Sequence, residues 1–154
     1  MQRMSRRAFF QNAIGALALL VGGCGSQAPA LPSNAAEDSR DALACTLPTQ
    51  CVNSLGSSGL GPMRYAGTPA QALILLRATL TEFPEAQIVK DSSLALEVVF
   101  TTPLGFRDLV DFRIDAQAQR IDYRSRSSFG LFDFGKNRSR MMAFSARFEQ
   151  IARR

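Results

Sequence analysis

Leu109-Val110-Asp111-Phe112-Arg113-Ile114-Asp115 and Arg120-Ile121-Asp122-Tyr123-Arg124-Ser125-Arg126, joined by Ala116-Gln117-Ala118-Gln119, decide how this chain folds. Each run alternates strictly between apolar and polar residues, as half-buried strands do, and the connection has a length common in hairpins. Setting Asp115 opposite Arg120 also sets Arg113 against Asp122 and Asp111 against Arg124. Three consecutive outward pairs then carry opposite charge, while Ile114 meets Ile121 and Phe112 meets Tyr123 on the inward side. A slip of one residue would turn every apolar side chain to the wrong face, so the register is strongly specified. Cross-strand pairing of this kind stabilises by about 0.2 to 1 kcal/mol per pair and accounts for these charges without a catalytic role.

Working outward, Val110-Asp111-Phe112-Arg113, Tyr123-Arg124-Ser125-Arg126-Ser127 and Asp133-Phe134-Gly135-Lys136-Asn137-Arg138 follow in an order that resembles the DUF1499 family, a family of unknown function. That pattern has a strand end like Arg-Ser-x-Ser-Arg, an Asp-x-Gly-x-Asn-Arg segment and a closing helix. Ser128 stands here where the family usually has its last Arg. Cys45 and Cys51-Val52-Asn53-Ser54 are similar to the family's opening, so the resemblance runs from Cys45 to Phe148. It implies a fold and a lineage, and no activity.

The elements flanking the hairpin give the fold class. Thr68-Pro69-Ala70-Gln71 has the order of a capping box with Pro in the first turn, and Leu73, Leu76, Leu80 and Phe83 recur on one face of the helix it opens. Pro84 stops that helix. Ala86 to Lys90 reads as a short strand, Asp91-Ser92-Ser93 as a turn, and Leu94 to Thr101 as a longer strand with a weakly polar second face. Met141, Phe144, Phe148 and Ile151 line a final helix, with Arg138, Arg140 and Arg147 away from the stripe. The expectation is an α+β domain: an antiparallel sheet of about four strands, two helices on one face, and the other face partly wet.

The chain has 154 residues, 46% of them hydrophobic, enough for one domain with a core. Residues 1–23 read as a signal peptide. Arg3, Arg6 and Arg7 precede an apolar run from Ala13 to Val21, too short for the roughly 20 residues that span a bilayer. Ser5-Arg6-Arg7-Ala8-Phe9-Phe10 resembles a twin-arginine export signal, and Leu20-Val21-Gly22-Gly23-Cys24 resembles a lipobox in which Cys24 is lipidated. Residues 24–41, rich in Ala, Pro and Ser, read as a flexible tether, and 42–154 as the single domain. Processing before Cys24 lowers the net charge from +5 to +2, so the high pI is mostly a feature of the signal and gives little support to a nucleic-acid partner. The expected location is a bacterial membrane surface facing the periplasm or the cell exterior.

In an oxidising compartment, Cys45 and Cys51 are the two cysteines left after lipidation, and a disulfide between them is the first expectation. Closing so short a loop stabilises by about 2 to 2.5 kcal/mol in the chain-entropy model. The spacing is not Cys-x-x-Cys and the chain has no His, so neither a redox pair nor a zinc site is favoured, and no metal or cofactor is expected. Ser54 to Pro62 is glycine-rich but lacks the Lys and helix start of a phosphate loop, and reads as a surface loop. Phe129, Leu131, Phe132 and Phe134 are expected to close over the end of the core, with a pocket lining as the alternative.

Two function classes remain. The first is a non-enzymatic binding or structural module at a membrane surface. Its candidate anion site is Arg126, Asn137 and Arg138, for a lipid phosphate or acidic glycan, because Lys136, Arg138 and Arg140 crowd a helix start where the dipole disfavours cations and attracts anions. Asp133, capping that helix and pairing with Arg138, is the simpler account. The second class is a hydrolase of an envelope lipid or glycan, with Asp108 or Asp133 as acid or base beside Ser127, since carboxylate pairs hydrolyse glycosides without His.

Overall fold

The computed structural model describes residues 40–56, 59–130 and 132–154. The expected signal peptide, Cys24 and most of the expected tether lie outside the described residues. Among the described residues a 3-10 turn (Arg40–Leu43) is followed by β1 (Cys51–Asn53), β2 (Met63–Arg64), α1 (Pro69–Leu80), β3 (Ala86–Asp91), β4 (Ala95–Thr101), β5 (Arg107–Asp115), β6 (Arg120–Ser127) and α2 (Lys136–Ala152). The sheet is antiparallel throughout, in the order β1-β6-β5-β4-β3, with β2 also paired to β6. The class is α+β as expected, with six strands rather than about four. The two extra strands have three and two residues. Runs this short carry no readable alternation, and what makes them strands is a place beside β6.

The hairpin has the expected register, with Asp115 opposite Arg120, Arg113 opposite Asp122 and Asp111 opposite Arg124. Its turn is fixed by Asp115, whose Oδ1 accepts from the amides of Gln117 and Ala118. These bonds favour the ionised carboxylate. The Ala118 amide is the largest influence holding the Asp115 carboxyl below its ordinary range, with Arg120 assisting and partial burial opposing.

One face of the sheet carries the core. Leu96, Val98, Val110, Phe112, Ile121 and Tyr123 pack against Leu73, Leu76 and Leu80 of α1 and against Met141, Phe144 and Phe148 of α2. Thr68 caps α1 through a full capping box with Gln71, which removes orphan amides at the helix start. Burial pushes the Tyr123 phenol above its ordinary range, and the charge of Asp122 adds to the effect.

The opposite face is partly wet, as expected, toward Glu97 and Arg126, but its centre is shielded. Asp122 is 1% exposed and Asp111 4%, because the 3-10 turn lies across the charged ladder. Leu43 is fully buried, its carbonyl accepts from Asn53 Nδ2, and the Ala44 carbonyl accepts from Arg124. The Cys45–Cys51 disulfide ties this segment to β1. Asp111 pairs with Arg124 at 2.7 Å, and Asp122 with Arg120 at 2.9 Å and Arg40 at 3.4 Å. Ser54, expected in a surface loop, is buried and donates to Asp122 at 2.9 Å.

At the β3 edge, Ile88 and Val89 are exposed and the pairing with β4 shifts between Ile88 and Lys90. Arg77 of α1 reaches Asp91 at 2.7 Å.

Candidate functional site

At the end of the sheet away from the hairpin turn, the β4–β5 loop and the β6–α2 segment frame an open groove of about 690 Å³. Two layers make it up. Asp108 and Ser127, the edge of a buried polar knot, form the floor, and a projecting apolar rim forms the walls.

The knot is built from β5, β6 and α2. Asp108 and Ser127 are opposite each other across the β5–β6 ladder, on the core side. Ser127 Oγ donates to Asp108 Oδ1 at 2.7 Å, and Arg140 Nη2 donates to Asp108 Oδ2 at 2.6 Å. Arg140 Nη1 and Ser125 Oγ both donate to Asn137 Oδ1 at 2.7 Å, while Asn137 Nδ2 donates to the Gln50 carbonyl and to Ser127 Oγ. The Arg140 guanidinium also stacks 4.9 Å above the Phe100 ring, a cation–π contact that holds its plane. Asp108 is 4% exposed, Arg140 9% and Asn137 fully buried. Every group in the knot has partners, which is what makes a buried polar cluster tolerable.

Arg140, expected away from the buried stripe of α2, lies inside it. A helical stripe wide enough for Met141 and Phe144 also takes in Arg140, and Asp108 supplies the carboxylate that makes burial of its charge affordable. Asn137 was findable. One helical turn back from Met141, it falls on the apolar stripe itself.

The three candidate anion ligands are not brought together. Asn137 bonds Ser125 and Ser127 on the core side of β6. Arg126, between them, is turned by strand alternation to the other face, where its Nε is 3.9 Å from Asp111. Arg138 lies on the exposed side of α2, its Nη1 beside the Met142 sulfur. Asp133 does cap the helix: Oδ1 accepts from the Gly135 amide and Oδ2 from the Asn137 amide, both at 3.0 Å. Asp108 and Asp133 both line the groove, but each carboxylate is already engaged.

The rim corrects another expectation. Phe129 and Phe132 do not close over the core: Phe129 is 78% exposed, and Phe134 is 99% exposed with φ of 51°. Leu131 lies outside the described residues. Across the groove Leu104 is 84% exposed, and Phe106 stacks on Phe129 with ring planes 9° apart. Arg107 and Lys136, both exposed, flank these rings. A large side chain in the left-handed region is rare and strained, so Phe134 is held there by its surroundings. The Asp133 side chain and the Gly135 cap, itself at φ 75°, supply that hold.

Among the described residues no group of three or more His, Cys, Asp or Glu is arranged to hold a metal, and no helix is long and apolar enough to cross a membrane. Neither the curated proteins nor the solved structures offer a match to the chain. The family described as "Protein of unknown function (DUF1499)" matches residues 24–148, which takes in the disulfide, the hairpin, the knot and most of α2, and the chain belongs to that family.

Proposed function

We propose that this is an exported lipoprotein, anchored through Cys24, whose domain is a non-enzymatic binding module at the membrane surface. The observation that carries this reading is the division of labour at the groove. The polar groups at its floor are spent on one another, and the groups it offers to a ligand are apolar rings with Arg107 and Lys136 beside them. A general acid or base needs a proton to exchange with substrate, whereas Asp108 is held between Ser127 and Arg140. The hydrolase alternative draws on Asp108, Ser127 and Asp133 all lining the groove.

Two measurements test the proposal. A Cys24→Ala variant is expected to leave the membrane pellet for the soluble exported fraction, and retention in the pellet would remove the lipid anchor. Purified protein assayed against envelope lipids and glycans is expected to show no turnover. Turnover abolished in a folded Asp133→Asn variant would replace the binding reading with the hydrolase.

A further inference from the structure

We infer that the phenylalanine rim enters the interfacial layer of an anionic phospholipid bilayer, so that the domain stands on the membrane with the β4–β5 and β6–α2 loops down. This rests on the lipoprotein reading and adds an orientation and a contact surface to it.

Four observations support it. The apolar side chains at this end project outward. Leu104, Phe106, Phe129, Phe132 and Phe134 are all half exposed or more, and a cluster of large apolar residues left on a folded surface marks an interaction site. Phe134 is fixed in an unfavourable backbone conformation that displays its ring to solvent. A strained residue presented outward is better explained by what it meets than by what it packs on. The flanking charge is net cationic: Arg107 and Lys136 sit at the rim, Asp108 is paired with Arg140, and Asp133 is turned to the helix amides it caps. Apolar rings with cations behind them match the layering of an anionic bilayer, headgroup charge above acyl chain.

The tether also reaches. The described chain begins at Arg40 beside Asp122, toward the hairpin-turn end of β6, and the rim lies beyond Ser127 at the other end. That separation is about 20 Å of strand. The 15 residues from Gly25 to Ser39 have a contour length of about 50 Å. That length is enough for an anchor at Cys24 and a rim at the far end of the sheet to reach the same bilayer, and an anchor raises the local concentration of rim at the lipid.

The chain contains no Trp, so Phe134→Trp introduces a single indole at a fully exposed position where the substitution does not disturb the core. Ile74→Trp, on the exposed side of α1, is the control. Each lipidated full-length variant is reconstituted into phosphatidylethanolamine vesicles with or without phosphatidylglycerol, and quenching by brominated acyl chains is recorded. The expected result is a blue shift and strong quenching at position 134, greater with phosphatidylglycerol, none at position 74, and loss of the phosphatidylglycerol effect when Arg107→Gln and Lys136→Gln are added. An unquenched indole at 134 on protein that remains vesicle-bound overturns the orientation while leaving the anchor intact. A blue shift that grows with protein concentration in the absence of lipid would assign the rim to self-association instead. Failure of the anchor is read separately, as release of protein from the vesicles.

Discussion

Arg140 Nη2 lies 2.6 Å from Asp108 Oδ2, joining the second turn of the last helix to the start of the central hairpin across the core face of the sheet. Both groups are buried, so each makes the other's charge tolerable. Arg140→Ala is expected to lower unfolding stability by about 3 to 5 kcal/mol, because it leaves a carboxylate out of water without its cation. Urea denaturation reads this directly. Replacing both residues with apolar side chains of similar size is expected to restore most of the loss, and a single-variant loss under about 1 kcal/mol would show that the pair does not hold the helix down.

Asn137→Ala removes two accepted and two donated hydrogen bonds at once, leaving Ser125 Oγ and one arm of Arg140 without their acceptor. A buried group left unsatisfied costs about 1 to 3 kcal/mol. The expected thermal destabilisation should be partly shared with Arg140→Ala. A double-mutant cycle between the two positions therefore shows strong non-additivity if they act as one network.

Reduction of the Cys45–Cys51 bond, or Cys51→Ser, is expected to cost about 2 kcal/mol. The loss concentrates at the covered face, since the bond tethers the segment that buries Asp111 and Asp122. Amide exchange in β6 should rise on reduction while α1 stays protected. Uniform exchange throughout the sheet would mean that the segment stays in place without its clip.

The acid and alkaline limbs of stability have separate sources. Asp115 has a folded pKa below its unfolded value of about 4, so its contribution is present above that pH and is lost as pH falls through the lower folded value. Asp115→Asn should flatten that limb. Tyr123 has a folded pKa above its unfolded value of about 10, so the neutral phenol contributes fully below pH 10 and its contribution falls as pH rises through the folded value. Tyr123→Phe should remove that dependence, as thermal melts across pH would show.

The hairpin register, the capping box and the final helix were legible because each rests on local periodicity or a short spacing rule. Thr68 and Gln71 form the box their order announces, and Asp111 faces Arg124 as alternation requires. What was hidden depended on distant partners. Nothing near Arg140 in sequence announces that Asp108, 32 residues earlier, will lie beside it. Nothing around Asp122 shows that Leu43 and Ser54 will shield it. The rim is hidden for a different reason: Phe129 and Phe132 look like core by composition, and no local periodicity in this loop says which way they face.

The sheet's two margins are each spoiled for pairing with another chain. On one side β1 and β2 are short pieces laid end to end along β6, and on the other β3 breaks its own ladder between Ile88 and Lys90. An unbroken row of free amides and carbonyls is what templates fibril growth, and neither margin offers one. If the domain is held at a bilayer as proposed, copies crowded into two dimensions would meet edge to edge far more often than in solution. For such a protein, protection against stacking into an extended β-structure is a condition of remaining dispersed, and here it is written into the backbone, independent of any side chain on the rim.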